Sequence, residues 1–387
     1  MSVQGWKNCK LEDIAEYKTG KLNSNAAKAN GAYPFFTCSP ETLKINSYAF
    51  DCEAAILAGN NANGIFCLKY YNGKFNAYQR TYIITTDPSV VDIKFLFYQL
   101  DLQLNRLQSI SHGTATKYLT IPLLNEIEVN LPSIATQIRI AAILSALDDK
   151  IELNRRTNAT LEAIAQAIFK EWFVDFRFSG ATGEMQDSEL GPIPRGWKIG
   201  RLGNVIEIKG GTTPSTKNPD YWDGEYYWAT PRDLSGLQSP VLLSTERKIT
   251  QKGLQQISSG MLPKGTLLLS SRAPIGYLAI SQIPVSINQG YIAIQGTLLS
   301  NLFMLFWLKQ NMGAVKERAN GSTFQEISKS NFREIELIMP EENLLRNFEI
   351  LIAPLFESIV KNEIENISIT KTRDTLLPKL MSGEIEV

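Results

Sequence analysis

The sequence predicts an α+β protein. Two β-rich domains are separated by two long antiparallel helices forming a coiled coil, and the whole is a pseudo-twofold tandem repeat. Three observations predict it. The first is a seam in mid-chain: Ile140, Leu144, Leu147, Ile151, Asn154, Asn158, Leu161, Ala165, Ile168 and Trp172 recur in steps of four and three, the heptad spacing of a helix with one apolar stripe. The second is that this seam returns 208 positions later as Phe348, Ile352, Leu355, Ile359, Asn362, Asn366, Ile369, Arg373, Leu376 and Leu380, with both asparagines repeated. The third is that the segments ahead of the helices repeat too. Gly5-Trp6-Lys7 returns as Gly196-Trp197-Lys198, 191 positions on, and the run from Gly113 to Pro132 returns from Gly321 to Pro340, 208 positions on. The second copy therefore carries 17 more residues, all within its β region.

A lone amphipathic helix has nothing to bury its stripe against. The simplest partner for each long helix is the other copy, with the asparagines setting register at some cost in stability. In the rival arrangement each helix folds back on its own domain. That needs neither equal lengths nor repeated polar positions.

A chain of 387 residues exceeds a single core, and its apolar and charged fractions, 44% and 20%, are ordinary for a soluble protein. The apolar run Leu302–Leu308 is too short to span a membrane, and the first residues lack a signal-peptide pattern. Cys9, Cys38, Cys52 and Cys67 show no CxxC spacing. They argue against a zinc site or a secreted disulfide scaffold and predict reduced, cytoplasmic residues; without a spanning apolar run, no membrane partner is expected. A formal net charge of zero argues against coating nucleic acid by bulk charge and leaves room for local basic patches.

Residues 1–132 form the first domain. Its short apolar runs Ala54–Leu57, Ile65–Leu68 and Tyr82–Thr86 predict strands, punctuated by turn signals at Gly59-Asn60-Asn61, Asn63-Gly64 and Asn72-Gly73. Phe95–Leu104 predicts a helix, 113–117 a polar loop, and Ile127–Leu131 a strand that Pro132 ends. The first long helix lies in 133–178; about 35 residues at 1.5 Å each give ~50 Å. Residues 179–196, rich in Gly, Pro, Ser and acids, read as a linker. The second domain covers 197–340 and the second helix lies in 341–387. There Pro354 replaces Ala146 of the first helix and predicts a kink or a restart near Leu355.

No catalytic constellation emerges. The single histidine, His112, has no credible partner for a metal site or a Cys/His pair. No Walker loop or strand-borne GxGxxG is present. Asn218-Pro219-Asp220-Tyr221 looks like the Asn-Pro-Pro-Tyr segment of adenine methyltransferases, but its third residue is Asp and its neighbours read as an Asx-rich turn. Asp148-Asp149 reads as solvated charge on a helix. Asp220 and Glu225 lack the downstream lysine of a metal nuclease.

What remains are polar and cationic loops. The candidates for DNA contact are Lys21, Asn60, Asn61, Gln79, Arg80 and Lys117 in the first domain, and Thr212, Thr213, Ser271, Arg272, Gln289, Thr323 and Gln325 in the second. Arginine forks suit guanine edges and Asn or Gln amides suit adenine edges. Glycines in such loops let backbone N–H groups approach phosphates. A solvated turn explains any one loop; recurrence at matching places in two copies favours binding.

The chain resembles the specificity subunits of type I restriction–modification enzymes. The resemblance is carried by the order domain, helix, domain, helix. It is carried also by the segments 163–176 (AIAQAIFKEWFVDF) and 373–384 (RDTLLPKLMSGE) that close the helices, 190–197 (LGPIPRGW) ahead of the second domain, and 271–276 (SRAPIG) within it. The first domain has no close copy of 271–276. The resemblance implies two target-recognition domains, each reading half of a split, asymmetric site on double-stranded DNA, with the helices as a spacer. It also implies two methyltransferase subunits using S-adenosylmethionine and two restriction subunits using ATP and Mg²⁺. This chain would bind no cofactor and catalyse nothing. Two rivals stand beside it. One is a self-contained DNA methyltransferase or nuclease; the other is a scaffold that binds no DNA.

Overall fold

The computed structural model describes residues 5–62, 64–113, 116–321 and 325–387. It is a mixed α/β fold that divides into two compact units, Met1–Ile151 with Ser368–Val387, and Glu152–Ile367. Each unit therefore holds one β-rich module together with one end of each long helix.

In the first unit a six-stranded sheet runs in the order Glu16–Thr19, Thr81–Thr85, Phe50–Ala58, Leu68–Ala77, Tyr33–Phe36, Leu43–Ile45. The expected turn at Asn72-Gly73 is not a turn. Both residues lie inside the strand Leu68–Ala77, opposite Glu53 and Cys52. A ladder shared with a nine-residue neighbour outweighs the local turn preference. Gly59-Asn60-Asn61 likewise enters a short strand, Asn60–Asn61, paired with Lys117–Tyr118. Ile65–Leu68 is not a strand either: Ile65 is exposed and pairing begins at Leu68. The expected helix extends to Ile93–Ile110, because Asp92 caps its N-terminus by accepting from the Phe95 N–H at 2.8 Å. Leu57, Ile84, Phe95 and Leu100 form the core with Ile140, Ala141 and Leu144 of the first long helix and Leu377, Leu380 and Met381 of the second.

The second unit has a five-stranded sheet, Ile206–Lys209, Tyr291–Gly296, Leu267–Ser270, Leu278–Ser281, Val241–Leu242, and a three-stranded one, Arg247–Ile249, Trp222–Ala229, Ser286–Ile287. Ala165, Phe169 and Phe173 from the end of the first long helix join Phe348, Ile352 and Phe356 from the start of the second in its core. In the segment 179–196, Met185–Gln186 pairs with Ile193–Pro194, and the Gln186 amide donates to Trp197 O at 2.8 Å. The repeat shows in the ladders as well. Lys7–Lys10 pairs with Glu128–Leu131 as Lys198–Arg201 pairs with Glu336–Met339.

The long helices are Ile134–Phe173 and Glu342–Met381, 40 residues each, or about 60 Å at 1.5 Å per residue. The expected kink at Pro354 is absent, and the second helix runs unbroken through it. Pro354 is exposed and Ile350, one turn back, is 67% exposed, so the carbonyl that loses its N–H partner is open to water. Every position of both seams is buried or half-buried.

Within the second unit Asn154 Nδ2 donates to Asn366 Oδ1 at 2.9 Å and to Glu365 at 2.8 Å. Asn362 Nδ2 donates to Asn158 Oδ1, and Asn158 Nδ2 to Glu363, each at 2.8 Å. One residue number falls as the other rises, so the helices run antiparallel past each other there. In the first unit Asp148 accepts from Arg373 Nη1 and from the Tyr98 hydroxyl, both at 2.6 Å. Asp148 is thus not the solvated charge its position on the helix predicts. Burial, then the bond to Asp148, drives the Tyr98 hydroxyl's pKa far above the usual tyrosine range. Among the described residues no helix is long and apolar enough to cross a membrane.

Candidate nucleic-acid interface

In the first module four separate loops meet along one edge. Leu22 bridges Tyr78, and Gln79 N donates to Leu22 O at 3.0 Å. Gly59 N donates to Arg80 O and Leu119 N to Gly59 O, each at 2.8 Å. Asn60 and Asn61 pair with Tyr118 and Lys117. Lys21, Asn60, Asn61, Gln79, Arg80 and Lys117 therefore belong to one contiguous edge. Lys21, Gln79 and Arg80 are exposed; Asn60, Asn61 and Lys117 are half-buried. The Gln79 amide gives one N–H to Asn23 Oδ1 at 3.0 Å, which leaves its carbonyl and second N–H for a ligand.

The second module repeats this weave. Ser271 N donates to Gly290 O at 2.8 Å and Ile327 N to Ser271 O at 3.0 Å. Arg272 bridges Glu326. By these bonds Ser271 holds the place of Gly59, and Arg272 the place of Asn60. The flanking bridges agree: His112 with Tyr118, and Asn320 with Glu326, each member shifted by 208. Sequence comparison missed this correspondence because 271–276 has no copy in the first domain. The offset at these two positions is 212, against 208 near the helices and 191 at the tryptophans, so counting from either end passes it by. Lys117 and Gln325 match at the helix offset of 208.

Close backbone approach fixes both edges. A Cβ on Gly20 would stand 1.8 Å from Ala77 O, and one on Gly211 1.7 Å from Ile287 O, so only glycine fits at either place. Thr213 Oγ1 donates to Gln289 Oε1 at 2.6 Å, and what Gln289 still offers is its N–H donors. Ser270, fully buried, accepts from Gly276 N at 3.1 Å and Tyr277 N at 2.8 Å and donates to Pro274 O at 2.8 Å. The loop that presents Arg272 is therefore pinned from beneath. Arg272 Nη1 lies 3.5 Å from Glu326 Oε2, both side chains partly exposed.

Not every candidate faces outward. Ser271 is 2% exposed and belongs to the scaffold. Thr212 Oγ1 donates to Gln256 O at 2.7 Å and accepts from Ser258 N at 3.1 Å, so its hydroxyl is used inside the fold. Thr213, Gln289 and Gln325 are exposed. Thr323 lies outside the described residues, as do the centres of the loops 114–117 and 322–325.

Among the described residues the other polar groups do not gather into a reactive site. Asn218 caps a short turn by accepting from Asp220 N at 3.1 Å, and Asp220 pairs with Lys252 at 3.0 Å. The four cysteines are unpaired and half-buried. Burial pushes the thiols of Cys9, Cys52 and Cys67 above their ordinary range, away from the reactive thiolate.

The family described as the type I restriction modification DNA specificity domain matches residues 3–163 and again 194–368. Among curated proteins, the MjaIX specificity subunit of Methanocaldococcus jannaschii is 35% identical over 183 residues, which cover 46% of this chain and 42% of that protein. The EcoDI specificity subunit of Escherichia coli is 34% identical over 226 residues, covering 52% and 49%. The chain thus spans less than half the length of these two relatives. The HindI specificity subunit of Haemophilus influenzae is 26% identical over 367 residues, covering 78% and 80%. Among solved structures, the S subunit of a type I restriction–modification system from M. genitalium shares the fold with a TM-score of 0.63 at 18% identity, over 97% of this chain and 96% of that one.

Proposed function

The chain belongs to the family of type I restriction–modification DNA specificity domains, and on that premise we propose that it is the sequence-reading, non-catalytic subunit of such a system. The observation that carries this reading is the repeated edge. Two modules weave unrelated loops into the same hydrogen-bond pattern, and each presents a different polar side chain at the matching place: Asn60 in one, Arg272 in the other. Amide and guanidinium forks read different base edges, so each module reads its own short word of double-stranded DNA, and the site is asymmetric.

The paired helices act as a coiled-coil spacer about a pseudo-twofold axis. Shifting Asn154 by 208 gives Asn362, and shifting Asn158 gives Asn366. The contact Asn154–Asn366 therefore turns into Asn362–Asn158, the exchange an isologous pairing requires. Modules so spaced address words about one helical turn apart, ~34–36 Å between centres, leaving unread bases between them.

Chemistry comes from partners: two methyltransferase subunits with S-adenosylmethionine, and two restriction subunits with ATP and Mg²⁺, all in the cytoplasm. The test is to express the chain with its methyltransferase partner and sequence the methylome. A bipartite, asymmetric adenine-methylation motif that disappears without this chain is expected. A motif unchanged by its removal, or methylation by this chain alone, would overturn the reading.

A further inference from the structure

The second module carries a cation that the reading edge does not use. Arg247 is exposed on the strand Arg247–Ile249. Its guanidinium carbon stands 3.5 Å from the centre of the Trp222 ring and 6.0 Å from that of Trp228. A separation of 3.5 Å is van der Waals contact, so the guanidinium lies flat on the indole. The two tryptophans beneath, 6% and 4% exposed, meet edge to face with ring centres 5.0 Å apart.

This stack is tied to the reading edge at several points. Trp228 Nε1 donates to Thr212 O at 3.2 Å, and Trp222 Nε1 to Ser215 O at 3.1 Å. The tryptophans thereby hold both ends of the loop that sets Thr213 against Gln289. In the sheet, Trp228 is in register with Arg247 on one side and Ser286 on the other, and Ser286–Ile287 leads directly to Gln289. Arg247 is therefore fixed on the flank of the edge.

Among the described residues no carboxylate pairs with Arg247, whereas nearby Arg232 takes Glu246 at 3.4 Å and Lys252 takes Asp220 at 3.0 Å. The stack orders the side chain before any ligand arrives, so little entropy is lost on contact. An arginine that reads a base must project into the groove; one lying flat on a sheet cannot. A phosphate, carried on the outside of the duplex, can come to it.

We infer that Arg247 is a phosphate clamp: its stacked guanidinium grips the DNA backbone beside the second half-site and sets how that module sits on the duplex. This rests on the DNA-reading function proposed above. The test uses the full chain with its methyltransferase partner and two short duplexes, one carrying the methylated sequence and one scrambled. Affinity is measured from about 50 to 200 mM salt. Arg247→Ala should weaken binding to both duplexes by a similar factor. It should flatten the slope of log affinity against log salt by about 0.9, the value of one phosphate contact, and leave the methylated sequence unchanged. Arg247→Lys, which keeps the charge and loses the flat stack, should retain most of the slope.

An Arg247→Ala protein that melts earlier but keeps the wild-type slope would mean a structural lid over the tryptophans, and the clamp would be wrong. A loss confined to the specific duplex, or an altered methylated sequence, would make Arg247 a base reader and also overturn it. If the wild-type complex fails to distinguish the duplexes, the reading function itself falls and takes the clamp with it, a result no Arg247 variant produces.

Discussion

Asn60 and Arg272 hold one backbone address in two modules, so their substitution should have separable effects. Arg272→Ala should relax one half of the methylated motif and leave the other intact, at about 1–3 kcal/mol if the guanidinium grips a base with two bonds. Asn60→Ala should do the same to the opposite half. Methylome sequencing of each variant checks this, and a uniform loss across both halves would instead mark a backbone contact. The loop sequences drew attention to these stretches because Gly, Asn and Arg cluster there in both copies. They could not separate Arg272 from its neighbour Ser271, since the burial of Ser271 is set by bonds to Gly290 and Ile327, far away in sequence. Arg247 was invisible for a similar reason. Its partner Trp222 is 25 positions away and meets it only across a ladder with a bulge.

Among the elements, the long helices were the most legible, because heptad spacing is local and survives whatever the β region does. Their ends were less so. Phe169 packs against Phe173, Phe303 and Phe348 with ring centres 5.1 to 5.8 Å apart, and spacing alone does not say which module a helix end enters. Phe169→Ala should cost about 3–5 kcal/mol, as for other buried Phe, and lower the urea midpoint of the second unit. The asparagine cluster predicts non-additivity. Asn158→Leu strips Asn362 and Glu363 of a partner and should destabilise by about 1–3 kcal/mol; adding Asn362→Leu should recover part of that loss. If the two changes simply add in urea titrations, the asparagines do not act as a unit. Pro354 and Asn72-Gly73 show where local rules gave way. The first sits where water can satisfy the backbone, and the second is held straight by a neighbouring strand.

For the whole molecule, two offsets in the sequence, 191 and 208, already outlined a duplicated chain with an insertion in its second β region. The matching ladders and bridges show what the two copies share: a strand pair ahead of each long helix, a woven edge, and the long helix that follows. On the function proposed, the paired helices set the distance between two words of DNA. Seven residues of helix-forming sequence, added to both long helices at one level, between Arg156 and Thr157 and between Glu363 and Ile364, keep the heptad phase and lengthen the stem by about 10 Å. At roughly 3.4 Å per base pair, the methylated motif should keep both words and widen its gap by about three base pairs. Methylome sequencing reads this directly; an unchanged gap with altered words would mean that the helices do not set the spacing.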